Sequence, residues 1–268
     1  MSIACTREQR RQATADLTRG LSRYSLWLNL GWHSVRQRYR RSLLGPLWIT
    51  VSMGIFIGAL GILYGQLFGR PLAEYLPYLA VGFLVWGFMS TSILDGAKVF
   101  LQSSGIIKQV NSPLSGYVFQ LLWSNLIIFF HNIWIYVGLA IWFQIDINPS
   151  IIFAIPGLAL IVLNLLWMVV ALGLVSARFR DIPLMLQSIM QLLFFLTPVI
   201  WKPEMLPGRS LLLDGNPFYH LLQLVRQPLL GEGPGVEHWL VGFVLLACGS
   251  GLTFWLYGKY RARIPYWV

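Results

Sequence analysis

Of the 268 residues, 56% are hydrophobic and 11% charged, and the mean hydropathy is +0.64. That balance excludes an ordinary water-soluble domain and predicts an all-α integral membrane protein. The two cysteines, Cys5 and Cys248, belong to no CxxC motif, so neither disulfide nor metal chemistry is expected.

Residues 1 to about 18 are polar and are expected to form an irregular tail. From Leu21 the pattern changes. Leu21, Tyr24, Leu28, Trp32, Val35 and Tyr39 recur at steps of three or four, with Arg36, Arg38, Arg40 and Arg41 largely off that face. The spacing predicts an amphipathic helix on the inner leaflet, its aromatics at headgroup depth and its arginines on phosphates or a partner. A solvated helix that merely orients the first span is the plainer alternative. Leu44-Gly45-Pro46-Leu47-Trp48 then breaks the helix and turns the chain into the bilayer. The first 40 residues lack the short uninterrupted apolar core of a cleavable signal peptide, so the first span is expected to act as the insertion signal.

Uncharged runs cover 42–69, 75–94, 109–145, 147–177, 182–201 and 238–258, each at or above the roughly 20 residues a spanning helix needs. Trimmed at their ends, they predict six transmembrane helices at about 46–67, 76–96, 117–143, 151–175, 183–201 and 238–258. The transmembrane domain is then 44–258, preceded by tail and interface helix in 1–43 and followed by a short C-terminus, 259–268. His131 is the only ionisable group deep in the third span and reads as a neutral interhelical hydrogen-bonder.

Two connections are unusual. The loop 98–116 is longer than the topology requires and contains Ile106-Ile107-Lys108-Gln109-Val110. Ser103 or Ser104 is placed to cap a brief helix, with Asn111 and Pro113 ending it. Such a helix, presenting Ile106, Ile107 and Val110, suits a rigid partner groove; a re-entrant or interfacial turn is the alternative. The stretch from Phe194 to Gly231 is too apolar for an ordinary loop and too broken by proline and charge to span. Pro198 should kink the end of the fifth span. Asn216 and Pro217 open a short helix with Phe218, Leu221, Leu222, Val225 and Leu229 on its apolar face. Residues 202–234 are therefore expected as short re-entrant outer helices between the fifth and sixth spans, with His220 and Arg226 interfacial and Arg226 within reach of an anionic headgroup. Irregular backbone survives at membrane depth only against protein or a wet cavity, so a passage for something polar is implied.

Sixteen of the 20 Lys and Arg residues lie in the tail, at 98, 108, 178 and 180, or after the last span, against Arg70, Lys202, Arg209 and Arg226 on the other side. Positive charge is retained inside, so both termini are expected in the cytoplasm and 202–237 outside. The net charge of +10 thus reads as an orientation signal and an attraction to anionic lipids, with no nucleic acid required.

Catalytic constellations are missing. The chain has no GxxxxGK[ST], no HExxH and no Cys and His cluster, and its outward carboxylates are scattered. Its abundant resource is aromatic surface. Tyr64, Trp86, Phe88, Phe194, Phe195, Trp201 and Tyr219 fall toward outer or central positions. Much of that surface serves the membrane interface and lipid packing, but aromatic faces also stack on sugar rings, which suits a pore through which a glycan slides.

Four segments in order, RYRRSLLGPLW (38–48), IIKQVNSP, FFLTPVIWKPEMLP (194–207) and NPFYHLLQLVRQPLLG (216–231), carry a resemblance. Over residues 20 to 260 the chain resembles the membrane subunit of type 2 ABC exporters of bacterial cell-surface polysaccharide, the permeases of O-antigen, capsule and teichoic acid. The resemblance implies a homodimer of six-span subunits in the bacterial inner membrane and two copies of a separate ATPase, which binds Mg-ATP. It implies no cofactor in this chain and an undecaprenyl-pyrophosphate-linked glycan as cargo. Ile106, Ile107, Lys108, Gln109, Val110, Asn111 and Pro113 become a coupling helix seated in the ATPase, and 202–234 the cap of the channel. We expect Arg40 and Arg41, with Arg226, to meet the carrier headgroup. A lipo-oligosaccharide or a drug is an alternative cargo. A membrane glycosyl- or acyltransferase working at His220, Glu204 and Arg226 is the alternative from a different class.

Overall fold

The computed structural model describes residues 6–38, 45, 47–145, 148–205 and 211–268. Among these the chain is helical with no strand: α1 (Arg7–Ser22), α2 (Tyr24–Arg38), α3 (Leu47–Leu67), α4 (Leu72–Gly96), α5 (Val99–Gln102), α6 (Ser104–Gln109), α7 (Leu114–Trp142), α8 (Ala154–Arg178), α9 (Ile182–Leu196), α10 (Leu211–Asp214), α11 (Pro217–Leu229), α12 (Val236–Tyr260) and α13 (Ile264–Trp267).

The expected irregular tail is instead α1. The Thr6 hydroxyl accepts from the Gln9 amide at 3.3 Å, and the Gln9 side chain accepts from the Thr6 amide at 3.0 Å. That reciprocal pair satisfies two donors the first turn would otherwise leave orphaned. The face of the N-terminal helices that packs inward carries small residues, and the predicted headgroup stripe lies mostly outside it. Gly20, Gly31 and Val35 are buried, whereas Leu21, Tyr24 and Trp32 are exposed. Small residues set this face because α1 and α2 lie flush on α7: a Cβ at Gly20 would stand 2.2 Å from Ser115 Oγ.

Among the described residues, five segments are long and apolar enough to cross a membrane: α3, α4, α7, the stretch Pro149–Arg178 containing α8, and the stretch Val236–Trp267 opened by α12. The fifth expected span, 183–201, is shortened. α9 has 15 residues, a length of roughly 22 Å against a hydrocarbon core of about 30 Å. It stops at Leu196, before Pro198. Other limits shift less. α4 begins at Leu72 and carries Pro77 within it, and α7 begins at Leu114 rather than near Tyr117.

α4 is the hub, packing on α3, α7, α8, α9 and α11. Of its most apolar window 83% is buried, against 11% for α3, so α3 turns most of its surface outward. The α3–α7 contact includes a hydrogen bond from Thr50 Oγ1 to the His131 carbonyl at 2.9 Å. The His131 ring does not make the interhelical bond expected of it; its Nδ1 donates to Ile127 O of its own helix at 2.8 Å. α8 meets α12 through Asn164, whose amide donates to Gly242 O at 3.1 Å.

At Gly157, α8 approaches the backbone of α11 so closely that a Cβ would sit 2.4 Å from Leu224 O, a carbonyl that cannot rotate away. Gly157→Ala should cost about 1–3 kcal/mol by overpacking, while Gly58→Ala, with nothing within 4 Å of its Cβ, should be neutral or better. Thermal unfolding of the two variants in the same detergent checks the pair; equal midpoints would contradict the packing.

Candidate functional site

One end of the helix bundle is organised around the chain after α9. Residues 197–201 have left the helix, and their carbonyls must find donors elsewhere. Side chains of α4 and α11 supply them. Tyr75 Oη donates to Ile200 O at 2.8 Å. Tyr78 Oη lies 3.0 Å from both Pro198 O and Trp201 O and shares its proton between them. Arg226 Nη1 donates to Pro198 O at 2.6 Å. Asn216 donates to Thr197 Oγ1 at 2.9 Å while its own side-chain oxygen caps α11, accepting from the Phe218 and Tyr219 amides.

α11 has two unlike faces. Leu221, Leu222, Leu224 and Val225 are buried in the helix bundle. Tyr219, Gln223, Arg226 and Gln227 form a polar ridge against a cavity of about 550 Å³, whose opposite wall includes Glu74, Pro77 and Tyr78 of α4. Arg70, Lys202, Glu204 and Glu232 are the cavity's other charged lining residues, and Lys202 pairs with Glu74. Arg226, expected at the interface, is only 1% exposed. Its Nε donates to Gln223 at 3.0 Å and its guanidinium carbon lies 4.2 Å from the Tyr78 ring centre. Burial also overturns the interfacial reading of His220. Its Nε2 donates to Asp214 O at 2.9 Å and its Nδ1 faces His238 Nδ1 at 2.8 Å, so both ring nitrogens are engaged.

The aromatic candidates divide. Trp86, Phe194 and Phe195 form one cluster: Phe194 lies 5.8 Å from Trp86 and 5.4 Å from Phe195. Trp201 joins it by donating from Nε1 to Phe195 O at 3.0 Å. Phe83 and Phe218, which were not among the aromatic candidates, belong to the same cluster. Phe88 packs apart, against Phe129, and Tyr64 stacks on Phe68. Tyr219 sits on the polar ridge beside the two histidines. The structure thus brings four of the seven together.

At the other end, Ser104–Gln109 is a helix, though Ser103 and Ser104 make no side-chain cap. Ile106 and Val110 are 56% and 53% exposed, while Ile107 is buried beneath them at 9%. The expected docking trio is therefore a pair, with Ile107 as its anchor. Asn111, Lys108 and Gln109 are exposed, and Pro113 precedes the first turn of α7. Arg40 and Arg41 lie outside the described residues.

Sequence reasoning missed Asp16. Its carboxylate accepts from the Leu114 and Ser115 amides, each at 3.1 Å, and so caps α7 from a distant part of the chain. Tyr257 Oη at 2.5 Å and Arg261 Nη1 at 2.9 Å donate to the same group. This explains why α7 starts at Leu114 directly after the 104–113 segment. The only local signal was an acidic residue in a basic helix, which does not name its partners.

A family model described as ABC-2 type transporter matches residues 25–230, more than three quarters of the chain. The chain belongs to the ABC-2 type transporter family. It is a multi-pass membrane subunit of an ABC transporter, it works with an ATPase subunit, and it is a transporter component rather than an enzyme. It is 26% identical over 212 residues to the O-antigen export system permease protein RfbA of Myxococcus xanthus, covering 77% of this chain and 81% of that one. It is 21% identical over 235 residues to a protein of the same name from Klebsiella pneumoniae, covering 85% and 89%.

In this permease Asp16→Ala strands two amide donors and the Arg261 charge, and should destabilise the protein by about 3–5 kcal/mol. Tyr257→Phe removes a single bond to a carboxylate and should cost about 1.5–3 kcal/mol. Detergent melts should rank Asp16→Ala below Tyr257→Phe below wild type; any other order contradicts the cap.

Proposed function

We propose that the chain is the channel-forming subunit of an exporter that moves a lipid-linked polysaccharide from the cytoplasm across the bacterial inner membrane. The observation that carries this reading is the match along most of the chain to proteins named for O-antigen export. α9 together with residues 197–201 serves as a sixth span, and 202–234 caps the outer side. Both termini face the cytoplasm. Two copies of the chain form the channel, an arrangement supported by the outward apolar faces of α3 and α9, where Ile55, Leu63, Leu184 and Leu192 are exposed. α1 and α2 lie on the inner leaflet with Leu21, Tyr24 and Trp32 turned outward.

Two ATPase subunits, each holding Mg-ATP, grip the segment 106–113 through Ile106 and Val110, with Lys108, Gln109 and Asn111 beside them. Because Ile107 and Asp16 tie that segment and the start of α7 into the bundle, movement at the ATPase is delivered to a spanning helix. The cargo is an undecaprenyl-pyrophosphate-linked glycan. Its headgroup enters past Arg40 and Arg41, and its sugars slide over the cluster of Trp86, Phe194, Phe195 and Trp201. Tyr64, Phe88 and Tyr219 line neighbouring parts of the path.

Deletion of this chain should trap lipid-linked glycan inside the cell and strip it from the surface; normal surface glycan would defeat the proposal. Replacing Arg40 and Arg41 together with Gln should reduce export while the complex still assembles, as read by surface glycan and co-purified ATPase. Unchanged export would remove the headgroup role from these two residues.

A further inference from the structure

The polar ridge of α11 is more than the lid of a channel requires. Pro198 O and the Gln223 amide oxygen need donors, and neutral side chains would satisfy them at lower cost. Arg226 instead places a permanent charge in a fully buried position, where an uncompensated ion costs several kcal/mol. Among the described residues the ion pairs are Lys202 with Glu74 and Arg261 with Asp16; Arg226 is in neither. Its Nη2 is buried with no hydrogen-bond partner. The guanidinium stands in the wall of the 550 Å³ cavity, beside the amide of Gln223 and the phenols of Tyr78 and Tyr219. Glu74 is held by Lys202, and Glu204, the carboxylate whose charge acts on Arg226, is exposed at the cavity edge and forms no ion pair with it.

From this arrangement we infer that the outer cavity between α4 and α11 is a binding site for an oxyanion carried on a polar molecule at the outer side. Arg226 is its charged anchor. Gln223 holds Nε and orients the fork, and Nη2 is the guanidinium nitrogen left unpaired. Tyr78 stacks beneath the guanidinium and fixes its plane. Tyr219 and Gln227, one turn to either side, offer donors and acceptors for neighbouring hydroxyls. Lys202 adds charge at the mouth, while Glu204 and Glu232 repel anions there and weaken retention, which suits a site that must release what it binds. The oxyanion has two possible sources, the carboxylate of an acidic sugar or the phosphate of a lipid headgroup. The site stands whether or not the cargo is a polysaccharide.

The test uses the permease with its ATPase subunit in phosphatidylcholine nanodiscs, the ATPase saturated with Mg-ADP so that its own phosphate site is filled. Calorimetric titration with digalacturonate, with glycerol 3-phosphate and with neutral maltose should give saturable binding of one or both anions and none of maltose. Arg226→Gln should weaken the anion by about tenfold or more, the loss of one charge-assisted contact worth 1.4 kcal/mol. Glu204→Gln, at an exposed residue outside the packed core, should tighten it by relieving repulsion. Digalacturonate binding alone assigns the site to acidic sugar, glycerol 3-phosphate binding alone to a headgroup phosphate, and both outcomes support it. No saturable anion binding, or equal binding of maltose, would overturn it. Should Arg226→Gln fail to fold, the Glu204→Gln titration decides, with unchanged or weaker affinity counting against the site.

Discussion

Backbone that leaves a helix at membrane depth must be satisfied by protein or by water in a cavity, and one end of this molecule is arranged around that constraint. α9 stops before Pro198, and the carbonyls of 198, 200 and 201 are met by Tyr75, Tyr78 and Arg226. Those donors come from α4 and α11, so the break in α9 fixes where both helices must stand. α4 accordingly is the most buried of the long helices. The aromatic cluster about Phe194 and the polar cavity about Arg226 lie on either side of the same break. An aromatic cluster and a polar pocket are thereby held next to each other by one set of hydrogen bonds.

A similar economy governs the inner end. The first amides of α7 need an acceptor, and Asp16 provides one from α1 while also binding Tyr257 and Arg261 near the end of α12. Three parts of the chain, separated by about a hundred residues or more, converge on one carboxylate. The 104–113 segment lies immediately before that junction, with Ile107 buried and Ile106 and Val110 left outside. A partner that grips the two exposed residues therefore acts on a point already fastened to α1, α7 and α12. The exposed pair is thereby joined, through Ile107 and Asp16, to the start of a long apolar helix.

Where periodicity and local chemistry act within a few residues, the reading from the chain was close. Asn216 and Pro217 open α11 because capping and the N1 preference for proline are local effects, and the apolar face of that helix follows the 3.6-residue repeat. The long apolar segments were legible from hydropathy, and the order of four short motifs pointed to the family. Misreadings had an equally physical origin. α1 was taken for a tail because charge density outweighed the Thr6–Gln9 capping box. The face of α1 and α2 that packs on α7 was not legible, because close approach to α7 selects glycine there while periodicity marks only the apolar stripe. Arg226 and His220 were placed at a surface because a charged or ionisable side chain on a short helix is usually solvated, and nothing nearby in the chain announces Tyr78 or His238.

The amino-acid sequence by itself determined the membrane class, the helical content, the long apolar segments, the short capped helix α11 and the family, because each depends on composition or on neighbours within one or two turns. Only the tertiary structure decided which polar groups are buried, that α9 ends short, that Ile107 faces in and Ile106 out, and that Asp16 caps a helix nearly a hundred residues away. Those outcomes depend on pairing between distant parts of the chain, where a buried charge or carbonyl is tolerated only if folding brings a partner to it. The guanidinium of Arg226, buried with one nitrogen still unpartnered, is the clearest case: its charge was visible in the chain, and its burial only in the fold.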